Sequence, residues 1–319
     1  MFRRLFFANI GFYTVFNYNN YTMRRAVLLL FAFLCMPGQV LAVKGYAVAD
    51  DSFDYPDHIV EIDLNSGDFQ SFGQIADPYI GIEGMAISNN NIIYGADDNT
   101  KTLVQIDISN ARALPVANVK QNFGFANLQE SHDYGMTFAC DGSLYLVVKS
   151  NQSLYRVNPQ TGKASLIGVT GHNFTSLASW DNRLYAVASG DFNLYEINPQ
   201  TADANLIGPL GDLGGGVELY GSGMSFDADG QLWMVINLRL SDPLNPLQSR
   251  IFKVNHQSGH ADYIADTLVG VESLAIANGQ GCSRGTPLME QVPALSLFNL
   301  WLLAMVMIPF GLFSVRKNA

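Results

Sequence analysis

Between Val43 and Ile276 the chain is a succession of short segments in which apolar and polar residues alternate. A two-residue period predicts strands with one face buried. The segments repeat. Leu154-Tyr155-Arg156-Val157-Asn158-Pro159-Gln160-Thr161-Gly162 runs into Ala164-Ser165-Leu166-Ile167-Gly168. Leu194-Tyr195-Glu196-Ile197-Asn198-Pro199-Gln200-Thr201 runs likewise into Ala204-Asn205-Leu206-Ile207-Gly208. Looser copies occupy Ile59 to Asp63, Leu103 to Asp107 and Ile251 to Asn255. Each reads as a strand entering a tight turn. Pro suits the first central turn position, and Gly162 supplies the positive φ that the turn needs.

A second unit precedes every copy but the first. It is a short apolar strand, a polar turn and another strand. The first strands centre on Met85, Met136, Leu177, Met224 and Leu274, at spacings of 51, 41, 47 and 50 residues. Such spacing suits four-stranded propeller blades. The last first-strand, Ser273 to Ile276, has no second strand after it. Lys44 to Ala49 is a second strand with no first strand before it, so the two ends complete one blade. The expectation is an all-β, five-bladed β-propeller over residues 43–280, closed by pairing its two ends. An open solenoid would leave both ends unmatched. Gly84, Gly135, Ser176, Gly223 and Ser273 are small enough for a crowded axis.

The wording Leu-Tyr-x-Ile-Asn-Pro-x-Thr-Gly resembles the repeat of many secreted bacterial propellers. That resemblance implies architecture only, because propellers host binders, lactonases, lyases and glycosidases alike.

The flanks read as addresses. Arg24 and Arg25 precede the apolar run Ala26 to Cys35, and Val40-Leu41-Ala42 supplies small residues for cleavage after Ala42. This is the layout of a secretory signal peptide. Residues 1–42 are therefore a leader, with Met23 as the expected true start and signal peptidase as a partner. Residues 281–292 read as a linker. Leu295 to Val315 carries no charge and is followed by Arg316 and Lys317, a length and flank that suit a transmembrane helix. Pro293, Leu295 and Ser296, this helix and the basic end resemble the IPTL-CTERM class of sorting segments, which are similar to the PEP-CTERM tails. Leu297, Phe298 and Asn299 depart from that pattern. The resemblance implies a sorting segment at 293–319, an exosortase-like partner and export across the inner membrane of a Gram-negative bacterium. Anchoring in the periplasm or at the cell surface would follow.

Charge now changes the picture. The chain has 18 Lys and Arg against 28 Asp and Glu, a net −10. Every acid lies between residues 50 and 290, while six basic residues belong to the flanks. The propeller and linker therefore hold 12 basic against 28 acidic residues, a net −16. That excludes nucleic acid as a partner, since phosphate binding needs clustered Lys and Arg. Three cysteines exclude a disulfide scaffold. Cys140 and Cys282 remain after signal removal, two blades apart. A bond between them would need the tail to cross the bottom of the propeller.

Candidate chemistry gathers on one face, where the loops entering each first strand meet those joining second to third strands. Glu83, His132, Asp133, His172, Glu218 and Glu272 come from the first set. Asp50, Asp51, Asp54, Asp57, Asp97, Asp98, Asp191 and Asp242 come from the second. Aligned on the first strands, Glu83, Tyr134, Thr175, Ser222 and Glu272 form one ring at the channel mouth. The expected ligand-binding set is Glu83, His132, Asp133, Tyr134, His172 and Glu272. Glu83 and Glu272, from neighbouring blades, could hold a hard cation such as Ca2+ through oxygen ligands, and no other cofactor is implied. They could also act as acid and base if held about 5 to 9 Å apart. The competing reading is a solvated acidic rim. His132, Asp133 and His172 could ligate a metal or supply a base, against a reading as surface loop residues. Asp227-Ala228-Asp229-Gly230 reads as a hairpin turn rather than a calcium loop, and His256 and His260 are expected to face solvent. The leading functional expectation is a tethered, exported module that binds a ligand or protein on its acidic face. The alternative is a lactonase, lyase or glycosidase built on Glu83 and Glu272.

Overall fold

The computed structural model describes residues 42–125, 133–214, 218–239 and 247–277. The chain divides into residues 1–41 and 42–319. The leader and the sorting segment, including Pro293, Leu295, Ser296, Arg316 and Lys317, lie outside the described residues. Among the described residues no helix is long and apolar enough to cross a membrane.

The described residues form five four-stranded antiparallel sheets. The closing blade contains β1 (Lys44–Ala49), β2 (His58–Asp63) and β3 (Phe69–Gln74). The first blade is β4 (Ile82–Ile87), β5 (Ile93–Asp97), β6 (Thr102–Asp107) and β7 (Arg112–Pro115). The second is β8 (Tyr134–Phe138), β9 (Leu144–Val148), β10 (Ser153–Val157) and β11 (Ala164–Val169). The third is β12 (Phe174–Trp180), β13 (Arg183–Ala188), β14 (Asn193–Ile197) and β15 (Ala204–Pro209). The fourth is β16 (Glu218–Phe226), β17 (Leu232–Arg239), β18 (Gln248–Val254) and β19 (Ala261–Val269). Finally β20 (Ala275–Ile276) becomes the inner strand of the closing blade. It pairs Gly45 with Ile276 and Tyr46 with Ala275. The expected closure of end on end is therefore present. Regular pairing in this strand is shorter than the sequence suggests, since Ser273 and Leu274 lie before it.

The core consists of five apolar layers between blades rather than one central mass. One layer packs Tyr185 and Val187 of the third blade against Phe226, Met234 and Phe252 of the fourth. Another packs Val48 and Ile59 of the closing blade against Met85 and Val104 of the first. Each middle blade strand is covered on both sides, so β5 and β9 are buried at every position. Outer strands such as β11 leave Leu166 and Val169 exposed.

The turn between the third and fourth strands is the same in all five blades. Its leading Asn or Asp accepts from the backbone two residues on. Asn158 Oδ1 takes Gln160 N at 2.9 Å, and Asp63 Oδ1 takes Asn65 N at 2.9 Å. Asp107, Asn198 and Asn255 do the same. This side-chain cap explains why only Asn and Asp occupy the position. The turn then abuts the outer strand of the preceding blade. A Cβ on Gly168 would lie 2.8 Å from Thr201 O, and one on Gly208 2.3 Å from Ser258 O. The small residue of the Leu-Ile-Gly repeat is thus an interblade joint.

At the joint between the first and second blades Asn122 takes that role. Its Oδ1 accepts from Leu103 N at 2.7 Å and its Nδ2 donates to Leu103 O at 2.9 Å. Gly162 of the next turn has φ +79°, and a Cβ there would lie 2.1 Å from Asn122 Cγ. Strain and collision act together, and Asn122 is pinned by the backbone. Gly162→Ala should therefore cost roughly 2–4 kcal/mol, or about 5–15 °C in Tm. Thermal unfolding of the full chain checks this, and a change under one degree would refute it.

Candidate functional site

The ring expected from the repeat alignment surrounds the axis. Glu83, Tyr134, Ser222 and Glu272 line an axial cavity of about 10 Å³, with Ser176 beside them. That is room for about one water-sized sphere. The ring is chemically divided. On one side Thr175 Oγ1 lies 2.7 Å from Ser222 Oγ, and Ser222 donates to Ser176 Oγ at 3.0 Å. On the other side stand the carboxyls.

Glu272 is 3% exposed. Asn237 Nδ2, from β17, donates to Glu272 Oε1 at 2.5 Å and to Asp51 Oδ2 at 3.2 Å. The Glu272 carboxyl packs over Gly221, where a Cβ would lie 2.1 Å from Oε2. Glu83 hydrogen-bonds to Glu272 and to Asp50. Asp50 in turn bonds to Asp57, and Glu272 to Asp51. Five acids thus form one chain, Asp57–Asp50–Glu83–Glu272–Asp51.

Five ionised groups cannot be held this way. Burial pushes Asp50 up to about 7, helped by the charges of Asp57 and Asp51. Burial also raises Glu272 to about 8, with Asp51 adding to the shift. Glu83 is pushed well above the usual carboxylate range by burial and then by Glu272. Its O–H can then donate to its carboxylate neighbour. Desolvation and like charge act in the same direction here.

Other expected residues are placed differently. Asp133 pairs with Lys149, whose Nζ also donates to Tyr220 O at 3.4 Å and sits 5.8 Å from that tyrosine's ring centre. This lysine from the second blade therefore reaches residues of the fourth. Asp97 is a structural brace, because its carboxylate accepts from Gly81 N at 3.1 Å and Thr100 N at 2.7 Å. Asp98 pairs with Lys101. Asp191 accepts from Tyr195 O–H at 2.5 Å. His172 packs its ring 4.4 Å from that of Tyr195 and 5.4 Å from that of Phe174, within its own blade. His132 and Asp242 lie outside the described residues.

His256 departs from expectation. It is half-buried, with its ring 5.5 Å from Phe226 and 5.6 Å from Tyr185, because the turn folds over the interblade layer. Burial lowers its pKa. Asp227 forms the expected hairpin turn, accepting from Asp229 N at 3.0 Å and from Trp233 Nε1 at 2.8 Å. Cys140 is disulfide-bonded, and Cys282 lies outside the described residues.

Two chemical consequences follow. Among the described residues no three His, Cys, Asp or Glu side chains are grouped to hold a metal ion. Second, Glu83 and Glu272 touch directly, closer than the spacing of a glycosidase pair. Sequence reasoning missed Asn237 and Lys149, since a lone amide within an apolar strand and a lone lysine just after one carry no signal before the fold is known.

Residues 4–176, more than half of the chain, match a family described as a repeat of unknown function, DUF6923. The chain belongs to this repeat family. No curated protein matches it. Among solved structures, the DUF6923 chain is similar to a protein of unknown function from Bacteroides caccae at 8% identity and a TM-score of 0.47, covering 74% of this chain and 98% of that one. A chain of a nidogen/laminin complex matches at 12% identity and a TM-score of 0.45, covering 75% and 99%. Virginiamycin B lyase from Staphylococcus aureus matches at 11% identity and a TM-score of 0.40, covering 70% and 86%. Likeness at this level says nothing of ligand or activity.

Proposed function

We propose that this DUF6923 protein is an exported, tethered binding module whose channel-mouth face takes a positively charged ligand or protein surface. Residues 1–42 act as the leader, and residues 293–319 hold the domain at the membrane or cell surface. The observation that carries the reading is the convergence of Asp50, Asp51, Asp57, Glu83 and Glu272 at one end of the axis. The domain's net −16 adds a long-range field that favours cations. A binding role is favoured over hydrolysis because the central carboxyls bond to each other. The axial cavity, at about 10 Å³, also has no room for a sugar ring.

The test is surface binding of the full chain to immobilised polylysine, with polyglutamate as control. Polylysine should retain the protein, with retention falling steeply as salt rises. Asp51→Asn with Asp133→Asn should weaken it. Asp203→Asn with Asp262→Asn, which removes the same charge from the opposite face, should not. Equal weakening by both pairs would reduce the effect to bulk charge and end the reading.

A further inference from the structure

Away from the axis, a groove of about 710 Å³ runs between the outer edge of the closing blade and that of the first blade. Its volume lies in the range of small-molecule sites. It exists because β7 breaks the repeat. The outer strands β3, β11, β15 and β19 are six to nine residues long and each carries a register shift. By contrast β7 has four residues, pairs with β6 without a shift, and ends at Pro115. After it the chain turns back through Ala117 and Asn118, at φ 55° and 57°. That reversal brings Lys120 to the same groove as Arg112.

The charge of this groove runs against that of the domain. Lys44, Lys101, Lys149, Arg183 and Arg250 pair with carboxylates. Lys253 lies 4.6 Å from the Trp233 ring centre, and Arg156 donates to Ser143 Oγ at 2.7 Å. Among the described residues Arg112, Lys120 and Lys163 have no such partner. Two of these three line this one groove, and in a domain of net −16 the carboxylates to pair with them are abundant elsewhere.

We infer that this groove binds a small organic carboxylate bearing hydroxyl or amide groups. Arg112 and Lys120 take the carboxylate, as a planar fork and a point charge. Gln74, Asn110 and Asn118 offer amide donors and acceptors to the neutral polar groups. Leu114, Pro115 and Pro78 provide the apolar wall. Asp77 stands in the same lining, accepts from hydroxyls, and disfavours ligands that are anionic throughout. Inorganic phosphate would gain from the two cations but leave the amides and the wall unused.

The test is calorimetric titration of the full chain at constant ionic strength with three probes: glucuronate, glucose and inorganic phosphate. Saturable binding of glucuronate in the millimolar range or tighter is expected, with neither of the others matching it. Arg112→Ala with Lys120→Ala should weaken glucuronate at least about tenfold. Lys163→Ala and Glu83→Gln should leave it unchanged, which separates this site from the axial one. Both groove cations are exposed, so the double variant should keep the wild-type Tm, and a Tm measurement verifies that. Equal binding of phosphate would make the groove a simple anion site and overturn the inference. Absence of glucuronate binding, or binding unchanged in the double variant, would overturn it as well.

Discussion

Glu272→Gln should raise the Tm at pH 8 by several degrees and flatten the decline of stability above pH 5. Glu272 is 3% exposed and its pKa stands at about 8 in the fold, against roughly 4.3 in an unfolded chain. The folded state therefore keeps a proton that the unfolded chain has already released. Stability contributed in this way is complete below about pH 4 and is lost as pH rises through 8. Asp50, raised to about 7, acts with the same sign over the lower part of that window. Each retained proton withdraws about 1.4 kcal/mol per pH unit, which is about 3–6 °C for a domain of this size.

The glutamine can keep the bond from Asn237 through its own Oε1 and donate toward Asp51 through Nε2. It removes the titration without emptying the site. Glu83→Gln should act in the same direction, since Glu83 is the shared neighbour of both carboxyls. The measurement is Tm against pH from 5 to 9 for the three chains. A wild-type Tm that is flat or rises between pH 5 and 8 would show that the carboxyls do not share protons. The exposed pair Lys44–Glu61 adds little to this profile, being open to solvent.

Much of the fold was legible in the sequence because a propeller repeats one hairpin. The alternation of Leu154 to Val157 and of Leu194 to Ile197 declares strands, and Asn-Pro-Gln-Thr declares the turn between them. Closure was legible from an orphan strand at each end. The ring of Glu83, Tyr134, Thr175, Ser222 and Glu272 was legible for the same reason, since equivalent repeat positions must circle the axis. Contacts that depend on side-chain reach were not. Nothing in Val-Ile-Asn237-Leu marks Asn237 as the donor bridging Glu272 and Asp51. Lys149 follows a buried strand and yet reaches another blade. Turn residues usually face water, whereas the turn carrying His256 lies on Phe226. Loop position groups His172 with Asp133, but its ring packs on Tyr195 instead. The groove at β7 could not be read, because it arises from a failure of the repeat.

Gly223→Ala should be among the most damaging single methyls in the domain. A Cβ on Gly223 would lie 2.3 Å from Leu274 N and from Ser273 C, both backbone atoms. Neither can rotate away as a side chain would, so the inner strand of the closing blade must shift outward. That strand is the least secured of the five. Regular pairing covers only Ala275 and Ile276, aided by Ser273 Oγ accepting from Val48 N at 3.0 Å and Ser225 Oγ from Ile276 N at 3.2 Å. A small displacement breaks these contacts together and exposes β1. The expected cost is about 4 kcal/mol or more, seen as a Tm lowered by about 10 °C or more. Hydrogen exchange should show protection lost first in residues 44–49 and 271–276. Gly142→Ala is the matched control, because Gly142 has φ +81° but nothing within 4 Å of its added Cβ. It should cost only the left-handed backbone term, about 1–2 kcal/mol. If the two variants unfold alike, the axis is not the crowded seam that closes the ring, and the damage at Gly223 is no more than loss of a glycine.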